Sequence, residues 1–191
     1  MSSYGGRSLL QRLSSFAHVG PLWVAVPVKI DDMEFEDDTD LIVMRAAAEL
    51  FQEPSTPYPV VTMGDSNTLI EGDEVAACGF PFGARIQRDS AINHILSAGV
   101  ISAIFPAENA PRVAPENFKE FQLDMTIHKG NSGGPTFRRS NGAAIGIVAQ
   151  AEFRGNVPVG IGHAIPINRA KLLIEVLLER ADDFRQRAWG R

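Results

Sequence analysis

Seventeen glycines and twelve prolines cut this 191-residue chain into short apolar runs, and that punctuation limits its fold more than any other feature. A helical bundle needs long segments with apolar side chains every three or four positions, and proline inside such a segment breaks it. Here the apolar runs are brief: Val75 to Cys78, Ile95 to Ile104, Phe121 to Met125, Ala143 to Gln150 and Val157 to Ile167, with Gly or Pro between most of them. Runs of this kind read as strands joined by turns, in a Greek-key barrel or sandwich. The expected class is all-β.

The front of the chain fits the same scheme. Leu22 to Ile30 is apolar and β-branched enough for a strand, the acidic stretch Asp31 to Asp40 reads as a loop, and Leu41 to Met44 resumes as a buried strand. Three prolines between Pro54 and Pro59 mark a turn-rich linker. Three more between Pro106 and Pro115 mark an exposed loop. Only the end has helical periodicity: after Asn168, taken as the N-cap, Leu172, Leu173, Val176, Leu177 and Phe184 share a face.

Composition narrows the function. The net charge is −5 and no Lys/Arg cluster is long enough to neutralise a row of phosphates, which argues against nucleic acid. A single cysteine, Cys78, allows no internal disulfide and suits a reducing compartment; inside an apolar strand it reads as a core residue. No apolar run reaches the roughly 20 residues a membrane helix requires, and Met1 to Leu13 lacks the apolar segment of an export signal, so the chain as written is expected in the cytoplasm. The four histidines are scattered without ligand spacing, so no metal or other cofactor is called for.

The segment Gly130-Asn131-Ser132-Gly133-Gly134-Pro135 carries the chemistry. A serine hydroxyl becomes a nucleophile when a base takes its proton, and the oxyanion that forms must meet backbone N–H donors already in place. Small residues on both sides of Ser132 permit that geometry. A glycine-rich hairpin turn is the competing explanation of the motif taken alone.

In context, Phe121 to Pro135 followed by Ala144-Ile145-Gly146-Ile147-Val148 and Gly160-Ile161-Gly162-His163-Ala164-Ile165-Pro166 resembles the second barrel of HtrA-type proteases. Thr39-Asp40-Leu41-Ile42-Val43-Met44 is similar to that family's aspartate strand. Gly64-Asp65-Ser66, Gly72-Asp73, Gly79-Phe80-Pro81-Phe82-Gly83 and Ser97 to Ser102 agree in order with the segments between. The resemblance implies a trypsin-like double Greek-key β-barrel with a C-terminal helix, its first barrel shortened. Residues 1–53 would be the first-barrel remnant, 54–74 the interbarrel linker, 75–166 the second barrel and 167–191 the helix, in one protease domain without the PDZ domain usual in the family.

It further implies that Ser132 attacks the scissile carbonyl, that Gly130, Asn131 and Ser132 build the oxyanion loop with N–H groups from Gly130 and Ser132, and that Asp40 orients the base. His128 and Lys129 depart from the usual Asn-Pro before the glycine. Thr126, six residues before the nucleophile, would floor the S1 pocket without an acid, favouring small apolar P1 side chains over Arg or Lys. Ile147, Val148, Ala149 and Gln150 would pair with substrate backbone. His163, where the family commonly has an apolar aromatic residue, would add a titratable group beside the pocket.

The base must precede Asp40, and only His18 does. The separation of 22 positions (40 − 18) leaves room for one clear strand where the fold places a hairpin, and the small-residue context of a catalytic histidine is missing from Phe16-Ala17-His18-Val19. Two arrangements are open: a compressed first barrel in which His18 serves, or a chain lacking the front of that barrel. They correspond to two functions. One is a serine endopeptidase acting on polypeptides, unfolded ones included, alone or as an oligomer; the other is a catalytically inactive trypsin-fold module that binds peptides or regulates. A β-barrel of unrelated function is a weaker third.

Overall fold

The short runs are apolar enough to bury one or both faces of a strand: Val75, Ala76 and Ala77 are all buried, whereas Phe121 and Leu123 are buried with Gln122 between them more exposed. A computed structural model describes residues 14–19, 22–27, 30–36, 40–46, 60–81, 94–106 and 118–189. The expected linker prolines Pro54 to Pro59, and residues 107–115 of the expected loop, lie outside these residues. The described chain is mostly strand: β1 (Ser14–Val19), β2 (Leu22–Pro27), β3 (Ile30–Glu36), β4 (Leu41–Ala46), β5 (Glu74–Gly79), β6 (Ile95–Pro106), β7 (Phe118–Asp124), β8 (Pro135–Arg138), β9 (Ala144–Arg154) and β10 (Val157–Pro166), followed by helix α1 (Ile167–Trp189).

β5 to β10 form a closed antiparallel barrel in the order β10-β7-β6-β5-β8-β9, so the trypsin-like β architecture is present. Its interior holds Val75, Ala77, Ile101, Phe121, Leu123, Ile145, Val148 and Ala164, all nearly or wholly shielded from solvent. Closure leaves these strands no free edge except where one outruns its neighbour. Among the described residues β9 does so: β8 pairs with it only from Ala144 to Ile147.

The front strands pair as β1 with β2 and β3 with β4. β3 occupies much of the acidic stretch expected to be a loop. Met33 and Phe35 alternate with Glu34 and Glu36, a strand pattern that the charges mask, and Glu34 forms an ion pair with Arg180 of α1. Two strands, β2 and β3, therefore stand between His18 and Asp40 where the sequence shows one. A second core joins β4 to the helix and barrel through Leu41, Ile165, Ile167 and Ala170, with Val43, Ile147 and Leu173 against them.

The helix begins at Ile167, one residue before the expected cap. Asn168 instead donates from Nδ2 to Asp65 at 2.7 Å, and its backbone N–H donates to Ser66 Oγ at 3.2 Å. Lys171 adds a bond to the Gly64 carbonyl at 2.6 Å. These contacts dock the segment before the barrel onto the first turn of α1.

Candidate active site

Ser132 lies in the loop between β7 and β8, whose shape follows from its glycines. Gly130 has a φ of 100°, which a side chain would oppose. At Gly134 a Cβ would lie 2.2 Å from the Cys78 carbonyl oxygen, so only glycine lets the loop sit this close to β5. Cys78 itself is half-buried and free.

Hydrogen bonds fix three amides of this loop. The N–H of Asn131 donates to His128 O at 3.0 Å, that of Gly133 to Val148 O at 2.7 Å and that of Gly134 to Asn131 O at 2.9 Å. Among the described residues the N–H groups of Gly130 and Ser132 have no backbone partner. Two unengaged amides on either side of Asn131, in a loop held by the amides around them, are the kind of donor that a developing negative charge requires. Asn131 between them is fully buried, and its side-chain amide makes no hydrogen bond.

The Ser132 hydroxyl is exposed and donates to the Ala149 carbonyl at 3.1 Å. A bulge makes that contact. Ala164 pairs with Val148 and His163 with Gln150, so Ala149 is left over and turned out of register. Ile147 is paired on both sides, by Pro135 and Ile165. Val148 exchanges backbone bonds with Gly133 and Gly134. Of the four residues expected to pair with substrate, Ala149 and Gln150 thus begin the free edge, while Ile147 and Val148 lie inside the barrel's bonding.

The remaining expected site residues lie on several elements, and no contact among the described residues joins Asp40 to Ser132. Thr126 is exposed between buried Met125 and Ile127. Lys129 lies over the ring of Phe153 on β9, 5.5 Å from its centroid. Asp40 is exposed immediately before β4 and has a φ of 53°. Left-handed backbone at a residue other than glycine is uncommon, Asp tolerates it better than most, and such positions cluster at functional sites. The backbone of His18 lies in β1 opposite Trp23; its side chain lies outside the described part of the structure.

His163 has surroundings that the sequence did not announce. Its side chain is 14% exposed; Nδ1 faces Glu120 and Nε2 faces Glu152, each at 3.4 Å, and Phe105 stacks on the ring at 6.5 Å. The two glutamates lie on β7 and β9. No local motif could have linked residues so far apart; only barrel register does.

Comparison with known proteins fits this geometry. The trypsin-like peptidase domain profile matches residues 17–147. A probable periplasmic DegP-like serine endoprotease of Halomonas elongata is 36% identical over 151 residues, 79% of this chain and 27% of that protein. The magnetosome formation protease MamE of Paramagnetospirillum magneticum is 33% identical over 142 residues, 74% of this chain and 17% of its own length. Among solved structures, the HtrA-type protease AlgW with a decapeptide superposes with a TM-score of 0.57 at 26% identity, covering 84% of this chain and 42% of that one. AlgW with a tripeptide gives 0.56 at 26%, covering 82% and 44%. The fold and loop define a trypsin-like β-barrel with an exposed serine in the glycine-rich loop between β7 and β8. The chain belongs to the trypsin-like peptidase family, in its HtrA/Deg group. It spans about a quarter or less of the length of these two curated relatives.

Proposed function

We propose that the chain is the protease part of a serine endopeptidase that cleaves polypeptides, unfolded ones included, through an acyl-enzyme on Ser132. The observation that carries this reading is the pair of unengaged amides, Gly130 and Ser132, beside the exposed serine hydroxyl. The profile match adds support, since residues 17–147 include His18, Asp40 and Ser132 in the order His, Asp, Ser.

In this mechanism a peptide pairs with the β9 edge from Ala149 onward. Its arrival displaces the Ser132–Ala149 bond and frees the hydroxyl to pass its proton to His18, oriented by Asp40. The attacked carbonyl oxygen becomes an oxyanion held by the Gly130 and Ser132 N–H groups, and collapse of the intermediate expels the amine with the proton from His18. Water then repeats the sequence on the acyl-enzyme. Thr126 presents no carboxylate to a basic P1 side chain, so small apolar P1 residues are preferred.

A second reading, a peptide-binding module without turnover, is favoured by the Ser132–Ala149 hydrogen bond, a resting arrangement that needs no base. As to compartment, the DegP-like relatives are named periplasmic, and the free Cys78 leaves this fold independent of disulfides inside or outside the cytoplasm.

Labelling with a fluorophosphonate probe, alongside hydrolysis of an unfolded protein, decides between them. The wild type should label at Ser132, and Ser132→Ala should lose labelling and about 10⁶-fold in kcat, with His18→Ala comparably slow in hydrolysis. A folded wild type that neither labels nor cleaves supports the binding module. A His18→Ala variant at full rate removes His18 from the mechanism.

A further inference from the structure

His163 projects from the outer face of β10, because its neighbours Gly162 and Ala164 are buried towards the barrel interior. Both ring nitrogens face carboxylates, and a neutral imidazole cannot suit both. It has one N–H and one lone pair, so one carboxylate always meets the lone pair; the imidazolium offers N–H to each. Nδ1, towards Glu120, is buried without a hydrogen bond. Glu152, with 48% of its side chain exposed against 38% for Glu120, is the freer of the two to turn away. The packed strands also carry Lys119 and Asp124 on β7 and Arg154 on β9, while β6 and the rest of β10 carry no charge.

Glu152 lies on the free edge of β9, three residues beyond the bulge at which Ser132 touches Ala149. A peptide laid antiparallel on this edge, with its scissile residue at Ala149, runs towards its own N-terminus as β9 runs on. Glu152 therefore stands beside residues about three positions before the cleaved bond.

Resting on the reading of β9 and Ser132 as the substrate groove, we propose that Glu152 is a specificity-determining residue for a basic side chain upstream of the scissile bond, and that His163 gates it by protonation. With His163 neutral, Glu152 is released to the incoming Lys or Arg. With His163 protonated, Glu152 is held against β10 and the preference fades. The cation is thus read upstream of the bond, while the P1 site stays uncharged.

The test is fluorescence anisotropy on the full chain carrying Ser132→Ala to prevent turnover. Two labelled peptides are used, identical except for Lys or Ala at the third and fourth positions before the bond. At about pH 8 the Lys peptide should bind about three- to fivefold tighter, a range set by one solvent-exposed ion pair; at about pH 5.5 the ratio should fall below about twofold. Adding Glu152→Gln should remove the preference at both pH values, and adding His163→Phe should keep it at both. A Lys preference intact in Glu152→Gln, or one that still fades at low pH in His163→Phe, overturns the proposal, as does no preference at pH 8. Fluorophosphonate labelling of the wild type separates the two readings: labelling without Lys preference defeats this inference alone, and Lys preference without labelling defeats the peptidase reading alone.

Discussion

Every strand from β5 to β10 has a bonded neighbour on each side, whereas among the described residues β3 and β4 have only each other. The serine loop sits on the first kind of structure and the proposed acid on the second. An isolated two-stranded sheet is marginal in water, so the β3–β4 hairpin depends on what it packs against. Leu41 and Val43 reach the core shared with α1 and β10, and Glu34 reaches Arg180. The nucleophile and its amides are thus held by a closed hydrogen-bonded wall, while the acid proposed to orient the base stands beside a hairpin held by side-chain packing at one seam. Damage to the seam should therefore silence the chemistry before it unfolds the barrel.

The sharpest way to break this contrast is at Asp40, where carboxylate and backbone can be separated. Asp40→Gly relieves the left-handed φ and should leave the thermal midpoint unchanged or slightly raised, yet lower kcat by about 10⁴-fold, as loss of a triad aspartate does. Asp40→Ala should lose a similar rate and also about 1 kcal/mol of stability, since alanine must adopt the strained backbone. Full activity in Asp40→Gly would show that the front hairpin supplies no acid.

The two cores offer a comparison of intermediate size. Phe121→Ala empties the barrel interior and should cost about 3–5 kcal/mol, with loss of all tertiary structure at once in a denaturant titration. Leu41→Ala, in the smaller seam core, should cost about 2–4 kcal/mol. Hydrogen exchange should then show early opening of β3 and β4 while β5 to β10 stay protected. Equal protection loss in both regions would mean that seam and barrel unfold as one unit.

The same contrast governs what could be read from the sequence. The serine loop was legible because its demands are local: glycines where φ is positive or the backbone is close, and a serine between them. Most barrel strands were legible from apolar runs, though β8 was hidden by its proline and its position behind the motif. The front was harder. β3 carries enough acid to pass for a loop, and its strand character rests on Met33 and Phe35 alone. Asn168 has the residue type of a helix cap, but its partners, Asp65 and Ser66, lie about a hundred residues earlier. Glu120 and Glu152 around His163, like the bulge at Ala149, arise from register between distant strands.

The smallest expected effect probes the seam through pH. Asp65 accepts hydrogen bonds from Asn168 Nδ2 and from the Asn67 N–H, and these, the Asn168 bond foremost, hold its carboxyl below the usual carboxylate range. A group whose value is lowered by folding favours the folded state when ionised. Its contribution is complete above the ordinary carboxylate range near pH 4 and is lost as pH falls through the lowered value. The carboxylate is solvent-exposed, so water and salt screen the effect. Asp65→Asn removes the charge while keeping an acceptor oxygen for Asn67 and Asn168. The variant should therefore be slightly less stable than wild type at pH 7, and the gap should close as pH falls below about 4. Denaturant midpoints at pH 7, 5 and 3 read this directly, and dilute buffer makes the gap largest. A gap constant over that range would mean that Asp65 holds the segment before the barrel to α1 by hydrogen-bond geometry alone, with no contribution from its charge.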